Sequence, residues 1–136
     1  MVVSSPPYLD VTNFEEDQWL RLWFLGGEPW PTRGKVSRDD RHSDAVGYWR
    51  FLSEAWAGIR PLLKRDCVIV LRVGAKRLTL VELKAGVVAG LRTVFSGLRE
   101  LEEPSISEIR GRQARSFNPG ASGCQQEIDF AFAVQA

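Results

Sequence analysis

The sequence predicts an α/β fold built on a mostly parallel sheet. Segments of strand character alternate with segments of helix character along the chain, in the order strand, helix, helix, strand, helix, strand, strand. Residues 67–73 (CVIVLRV) are nearly all apolar and rich in β-branched side chains, which is typical of a strand covered on both faces. Only four strands are predicted, which is few for such a sheet.

The composition is that of one compact folded domain. The chain has 136 residues, of which 44% are hydrophobic and 26% charged, so it can bury a core and is not a disordered sequence. No apolar run reaches the roughly 18 residues that a membrane-spanning helix needs, and we expect no membrane partner. The first residues lack the basic and apolar regions of a signal peptide, so a cytoplasmic location is expected.

Charge and cysteine content exclude two further classes of protein. The net charge of +1 excludes a globally basic nucleic-acid-binding protein but is compatible with a local basic patch. Cys67 and Cys124 are too few for a disulfide framework and too far apart for a Cys-x-x-Cys metal clip. No metal site is therefore predicted.

The first elements are a short strand and a helix. Val2 and Val3 begin a strand that must stop at Pro6-Pro7, because proline cannot donate ladder hydrogen bonds. Thr12-x-x-Glu15 is a capping-box pattern and predicts the start of a helix, which Gly26-Gly27 should end. The polar segment 28–43 is predicted to be a long loop.

A second helix and the central strand follow. Asp44 is a candidate N-cap for a helix that runs to about Lys64, with apolar residues spaced three and four apart. Pro61 should kink or end its last turn. Residues 67–73 are then the central strand.

The last third of the chain predicts one helix and two strands. Thr79-x-x-Glu82 caps a helix through about Ser96. Residues 98–102 form a weakly marked strand, and residues 103–125 a second long loop. Residues 127–134 alternate apolar and polar or small side chains, which indicates a strand with one buried face.

The most specific local feature is Ser5-Pro6-Pro7-Tyr8, here called the tetrad, at the end of the first strand. Ligands of doubly wound sheets bind beyond the carboxyl ends of the strands. Two prolines fix the backbone and leave carbonyl oxygens without competing N–H donors, so they could accept hydrogen bonds from an exocyclic amine. The tyrosine could stack on a planar ring. The alternative is a structural Pro-Pro turn after an edge strand.

The tetrad, followed by residues 17–26 (DQWLRLWFLG), resembles the catalytic region of DNA methyltransferases that modify exocyclic amino groups. It is similar to motif IV of that family, in the form most associated with cytosine N4; adenine N6 enzymes more often begin with Asp or Asn. The resemblance implies that the chain is the second half of a class I, Rossmann-like methyltransferase sheet. Residues 67–73 would be its fifth strand and residues 127–134 its antiparallel seventh.

The family's main cofactor motif is missing from the chain. S-adenosyl-L-methionine binds a glycine-rich turn after the first strand of the family's sheet. Gly26-Gly27 follows a helix, Gly74 stands alone after a strand, and Gly120-Ala-Ser-Gly123 precedes a strand. Some members are permuted so that the tetrad half comes first. The resemblance therefore implies a partial catalytic domain that needs a complementary half to bind the cofactor and to be active.

The resemblance also implies roles for the tetrad and a DNA partner. The target base would leave the stack; oxygens around Ser5 and Pro6 would accept hydrogen bonds from its amine, Pro7 would hold the loop, and Tyr8 would stack on the base. The basic stretch 110–115 supplies the candidate nucleic-acid contacts, namely Arg110, Arg112, Gln113 and Arg115. A solvated charged loop is the alternative for that stretch.

Three further expectations concern alternative functions, the exposed first strand and a pair of carboxylates. The chain could instead be a non-catalytic subunit that binds nucleic acid or a protein, or an RNA amino methyltransferase. The strand at 2–5 would be an exposed edge, which predicts a homo-oligomer or a complex with the complementary half. Glu127 and Asp129 share one strand face, as either a paired-carboxylate site or a polar outer surface.

Overall fold

The computed structural model describes residues 1–9, 14–30, 44–109, 124 and 126–136, and only the helical backbone within 14–18. The strands are β1 (Val2–Ser4), β2 (Asp66–Val73), β3 (Ser96–Glu100), β4 (Ser105–Glu108) and β5 (Gln126–Gln135). The helices are α1 (Phe14–Phe24), α2 (Ala45–Ile59) and α3 (Leu80–Arg92), with one 3₁₀ turn at Arg60–Leu62.

The described strands form one mixed sheet. Its order is β1-β2-β5-β3, and β4 also pairs with β5. The pair β1–β2 is parallel, whereas β5 runs antiparallel to β2, β3 and β4. The predictions of an α/β fold and of an antiparallel last strand are confirmed.

The predicted mostly parallel sheet with an antiparallel last strand agrees with these strand directions, because β1, β2, β3 and β4 all run the same way and β5 alone is reversed. Only one of the pairings among the described strands is parallel. The cause is the position of β5, which lies between β2 on one side and β3 and β4 on the other. Because β5 runs against all three neighbours, every pairing that it makes is antiparallel.

The ends of the second helix are set by an N-cap residue, Asp44, and by Pro61 in the turn that follows. Asp44 caps α2, since its side chain accepts a hydrogen bond of 2.8 Å from Gly47 N. α2 ends at Ile59 and passes into the 3₁₀ turn that contains Pro61, before the predicted end. A proline ring has no N–H to continue the α-helical ladder.

Local capping residues also mark the start of α3 and the end of α1. Thr79 N donates to Glu82 Oε2 at 2.8 Å and Glu82 N donates to Thr79 Oγ1 at 3.3 Å, so the predicted capping box is confirmed. Gly26 follows α1 with a φ of 93°, a conformation that favours glycine. The capping pattern Thr12-x-x-Glu15 lies largely outside the described residues.

The region after α3 differs from the prediction. α3 ends at Arg92, and β3 begins at Ser96, where the predicted helix was to end. The register of β3 shifts between Ser96 and Arg99, around Gly97 with its φ of 61°. The predicted loop 103–125 contains β4, whose four residues are all exposed and carry no apolar periodicity that could have predicted a strand.

The core lies on one face of the sheet, where α2 and α3 pack against β2 and β5. Its largest fully buried side chains are Tyr48, Ile69, Leu71, Val73, Leu83, Val87, Leu91, Phe130 and Phe132. On the opposite face, Val3 of β1 is 68% exposed and Val70 beside it is partly exposed. Among the described strands, β1 pairs with β2 alone and is therefore an edge.

Candidate functional site

The tetrad leaves β1 at the carboxyl end of the parallel pair β1–β2. It runs beside the turn that follows β2, because Leu9 N donates to Gly74 O at 3.0 Å and Leu9 forms a parallel bridge with Ala75. Parallel strands bring their carboxyl ends to the same edge of a sheet, which is where ligands of α/β proteins bind. Ser5 and Pro7 are exposed, and Pro6 and Tyr8 are partly buried.

The hydroxyl of Tyr8 donates a hydrogen bond of 2.7 Å to Glu127 Oε1. β5 is antiparallel to β2, so its amino end lies at the same sheet edge as the carboxyl ends of β1 and β2. Glu127 therefore reaches Tyr8 although 119 residues separate them in the chain. Partial burial, and then this hydrogen bond, raise the pKa of Tyr8 above 10.0.

Arg72 joins the two carboxylates of β5. Its Nε and Nη2 each donate a hydrogen bond of 2.7 Å to Asp129, and its Nη1 lies 3.5 Å from Glu127 Oε2. Arg72 and Asp129 are direct neighbours in the register of β2 and β5. The guanidinium lowers the pKa of Asp129 below its usual range, and the carboxylate raises that of Arg72.

Gly74 allows the tetrad to pack against the turn after β2. A Cβ atom at this position would lie 2.7 Å from Cys124 Sγ, 2.9 Å from Tyr8 Cδ2 and 3.2 Å from Gln126 O. Cys124 is buried, and its thiol donates to Gln126 O at 2.6 Å. The absence of a side chain at Gly74 therefore lets the Tyr8 ring lie close to the turn after β2.

A second tyrosine, Tyr48, is buried in the core. It lies in the first turn of α2, and its hydroxyl has no hydrogen-bond partner among the described residues. Burial, with a smaller contribution from Tyr8, raises the pKa of Tyr48 far above its usual value. Its hydroxyl is a buried polar group that stays neutral.

The paired carboxylates of β5 have a partner that the sequence analysis did not identify. Both Glu127 and Asp129 face Arg72, so they form an ion-pair cluster. One signal was present in the sequence, because Arg72 is the single charged residue within the apolar run 67–73. Gly74 and Tyr48 were missed as well, because a close approach and an unpaired hydroxyl depend on tertiary packing.

The remaining sequence predictions concern nucleic-acid contacts, metal ligands and membrane spans. Arg110, Arg112, Gln113 and Arg115 lie outside the described residues. Among the residues that the structure describes, no three His, Cys, Asp or Glu side chains are grouped as metal ligands require. No described helix is long and apolar enough to cross a membrane.

Among the described residues, no strand is followed by a glycine-rich turn of the kind that the family uses to bind S-adenosyl-L-methionine. Gly74 is the one glycine that directly follows a described strand, and the space beside its Cα is filled by Tyr8 and Cys124. A ligand could not enter that space without displacing these two side chains.

Comparisons of the chain with protein-family models, with curated proteins and with solved structures found no significant match in any of the three.

Proposed function

We propose that this chain is the tetrad-bearing half of an S-adenosyl-L-methionine-dependent DNA methyltransferase that modifies an exocyclic amine, cytosine N4 in preference to adenine N6. The observation that carries the proposal is the place of the tetrad. It follows β1 at the carboxyl end of the parallel pair and leaves Tyr8 partly exposed. The antiparallel β5 beside β2 agrees with the strand directions that the resemblance implies.

The tetrad's own groups would bind and orient the target base. Ser5 is exposed, and its hydroxyl and the carbonyl oxygens of the tetrad are available to accept hydrogen bonds from an amine. Pro6 and Pro7 carry no N–H, so the loop offers acceptors without competing donors. The Tyr8 ring would stack on the base once it has left the duplex. Such positioning can supply much of a rate enhancement.

The methyl donor would be held by a complementary polypeptide. Among the described residues no glycine-rich turn follows a strand, and the space beside Gly74 is filled by Tyr8 and Cys124. The edge strand β1 offers a surface for that polypeptide, because its outer side pairs with no described strand. The partner half would then continue the sheet beyond β1.

The binding part of the proposal is tested with the chain alone. Fluorescein-labelled duplexes carry one cytosine opposite either guanine or thymine, and fluorescence anisotropy gives the dissociation constant of each. We expect tighter binding to the mispaired cytosine, because a mispaired base costs less to extrude. Tyr8→Ala should remove this preference, since stacking on an aromatic ring is worth about 1–3 kcal/mol per base.

Two controls test whether the chain prefers cytosine to adenine and whether it prefers DNA to RNA. A duplex with adenine opposite guanine, in place of the mispaired cytosine, measures the preference for adenine. RNA duplexes of the same sequence test the RNA alternative. Equal binding to paired and mispaired cytosine, unchanged by Tyr8→Ala, would contradict the assigned role of the tetrad.

The transfer reaction needs both halves. Tritiated methyl groups from the cofactor are counted in duplex DNA after incubation with the chain alone, or with a polypeptide that carries a glycine-rich cofactor loop. We expect incorporation only in the mixture, and much less with Tyr8→Ala. Methylation that is unchanged by this substitution would contradict the proposal.

The second candidate is a non-catalytic nucleic-acid-binding subunit, which the basic stretch 110–115 of the sequence supports. It predicts a salt-dependent DNA affinity that Tyr8→Ala leaves unchanged. Replacement of Arg110, Arg112 and Arg115 by alanine would abolish that affinity. The two candidates are therefore separated by the same binding assay.

A further inference from the structure

Four side chains form a continuous chain of contacts that ends at the tetrad. Asp129 holds Arg72 through two hydrogen bonds of 2.7 Å, and Arg72 faces Glu127 at 3.5 Å. Glu127 in turn accepts the hydroxyl hydrogen of Tyr8 at 2.7 Å. The contacts join β2, β5 and the loop after β1 at one edge of the sheet.

The two oxygens of Glu127 have different partners. Oε1 accepts from Tyr8, and Oε2 lies opposite Arg72 Nη1. Arg72 is itself oriented by a bidentate contact, the geometry that gives a guanidinium a fixed direction. The carboxylate of Glu127 is therefore held from both sides rather than free in solvent.

The phenol of Tyr8 is consequently fixed at two points. Its hydroxyl is held by Glu127, and its Cδ2 lies against the backbone of Gly74, where a Cβ atom would come within 2.9 Å. Rotation of the ring away from the sheet edge would break the hydrogen bond. Part of the side chain remains exposed and can contact a ligand.

We infer that Glu127 is a positioning residue that holds the ring of Tyr8 in the orientation in which it stacks on the extruded base. Arg72 and Asp129 hold Glu127 in turn. This inference rests on the proposed function, because it assigns Tyr8 to base stacking. A purely structural role, in which the contacts only join the ends of the strands, is the alternative.

A double-mutant cycle separates the two roles. Tyr8→Phe keeps the ring and removes the hydroxyl, and Glu127→Ala removes the acceptor. We expect each to reduce the preference for mispaired over paired cytosine about fivefold, and the double variant to reduce it no further, because both remove the same contact. Glu127→Gln should restore most of the preference, since its amide oxygen can accept the same hydrogen bond.

A spectroscopic readout is independent of DNA. The chain has only two tyrosines, so the absorbance of tyrosinate near 295 nm follows Tyr8 and Tyr48 alone, and Tyr8→Phe identifies the signal of Tyr8. Glu127→Ala should lower the pKa of Tyr8, because the hydrogen bond and the nearby negative charge both raise it. Thermal unfolding of each variant establishes that it is folded.

Each outcome decides between the hypotheses. The positioning role would be overturned if the losses were additive in the double variant. It would also be overturned if Glu127→Ala kept the full preference for mispaired cytosine while Tyr8→Ala lost it. Either result would leave the proposed function intact. A preference that Tyr8→Ala retains would overturn both. In that case the titration would still report whether Glu127 contacts Tyr8.

Discussion

Arg72 of β2 and Asp129 of β5 lie directly opposite each other and are joined by two hydrogen bonds of 2.7 Å. The contact spans the strand pair at the same edge as the tetrad. Arg72 is 45% exposed, so solvent screens the pair and its contribution to stability is modest. Its main consequence is a fixed direction for the guanidinium, which faces Glu127.

The lowered pKa of Asp129 predicts a pH-dependent contribution to stability. Its pKa in the folded chain lies below the ordinary value of 3.8, so the stabilisation is fully present above that value and is lost as the pH falls through the lower one. Urea unfolding of the native chain and Asp129→Asn should therefore differ at pH 7 and converge in strong acid. A difference that stays constant down to low pH would contradict this assignment.

Gly74→Ala should destabilise the chain. The new Cβ would meet Cys124 Sγ at 2.7 Å and Tyr8 Cδ2 at 2.9 Å, and we expect a cost of about 1–3 kcal/mol. Gly58→Ala is the matched control, because no atom lies within 4 Å of its Cβ position in α2. Alanine in a helix should stabilise by about 0.5–1 kcal/mol there. Equal effects in urea unfolding would contradict the packing described at Gly74.

Lys76 and Lys64 provide a matched test of the proposed DNA contact at the tetrad. Both are exposed, and they flank β2 at opposite ends, Lys76 in the turn beside the tetrad and Lys64 at the far edge. If DNA binds at the tetrad, Lys76→Ala should reduce the slope of log affinity against log salt by about 0.9, the value for one lost phosphate contact. Lys64→Ala has the same net charge and should leave the slope unchanged. Equal slopes in the two variants would argue against binding at this edge.

The edge strand β1 predicts self-association in the absence of a partner half. Val3 is 68% exposed, and the outer side of β1 pairs with no described strand. Light scattering at micromolar concentration should give a mass above the 15.3 kDa of one chain. Val3→Lys should shift the mass towards the monomer, because a charge on an edge strand opposes pairing. A native chain that is monomeric at this concentration would contradict the expectation.

Short-range sequence patterns predicted most of the helices and strands. The features that were not predicted depend on contacts between residues far apart in the sequence. The capping box of Thr79 and the N-cap of Asp44 are short-range and were found directly. β4 was missed because an exposed polar strand is specified by its partner β5 rather than by its own side chains. The reversed direction of β5 was expected only from the family resemblance, because no pattern within residues 127–134 records which strands lie beside it.

The candidate site also has a part that the sequence predicts and a part that depends on tertiary contacts. The tetrad is contiguous in sequence and could be recognised from four letters. Its supports, Glu127 and Gly74, become neighbours only through the register of β2 with β5 and the bridge after β1. A register shift of one residue would turn Glu127 towards the opposite face of the sheet. Sequence reasoning therefore identified the tetrad but not the residues that hold it.

The central place of β5 has a consequence for how the chain folds during synthesis. Residues 126–135 are made after every other described strand, yet β2, β3 and β4 all pair with them. Until they leave the ribosome, β3 and β4 lack the only partner strand that they have among the described residues. Most of the sheet must form in one late step with long loops to close, which favours slow folding. The nascent chain is exposed to aggregation during that interval, when Phe130 and Phe132 are not yet available to complete the core.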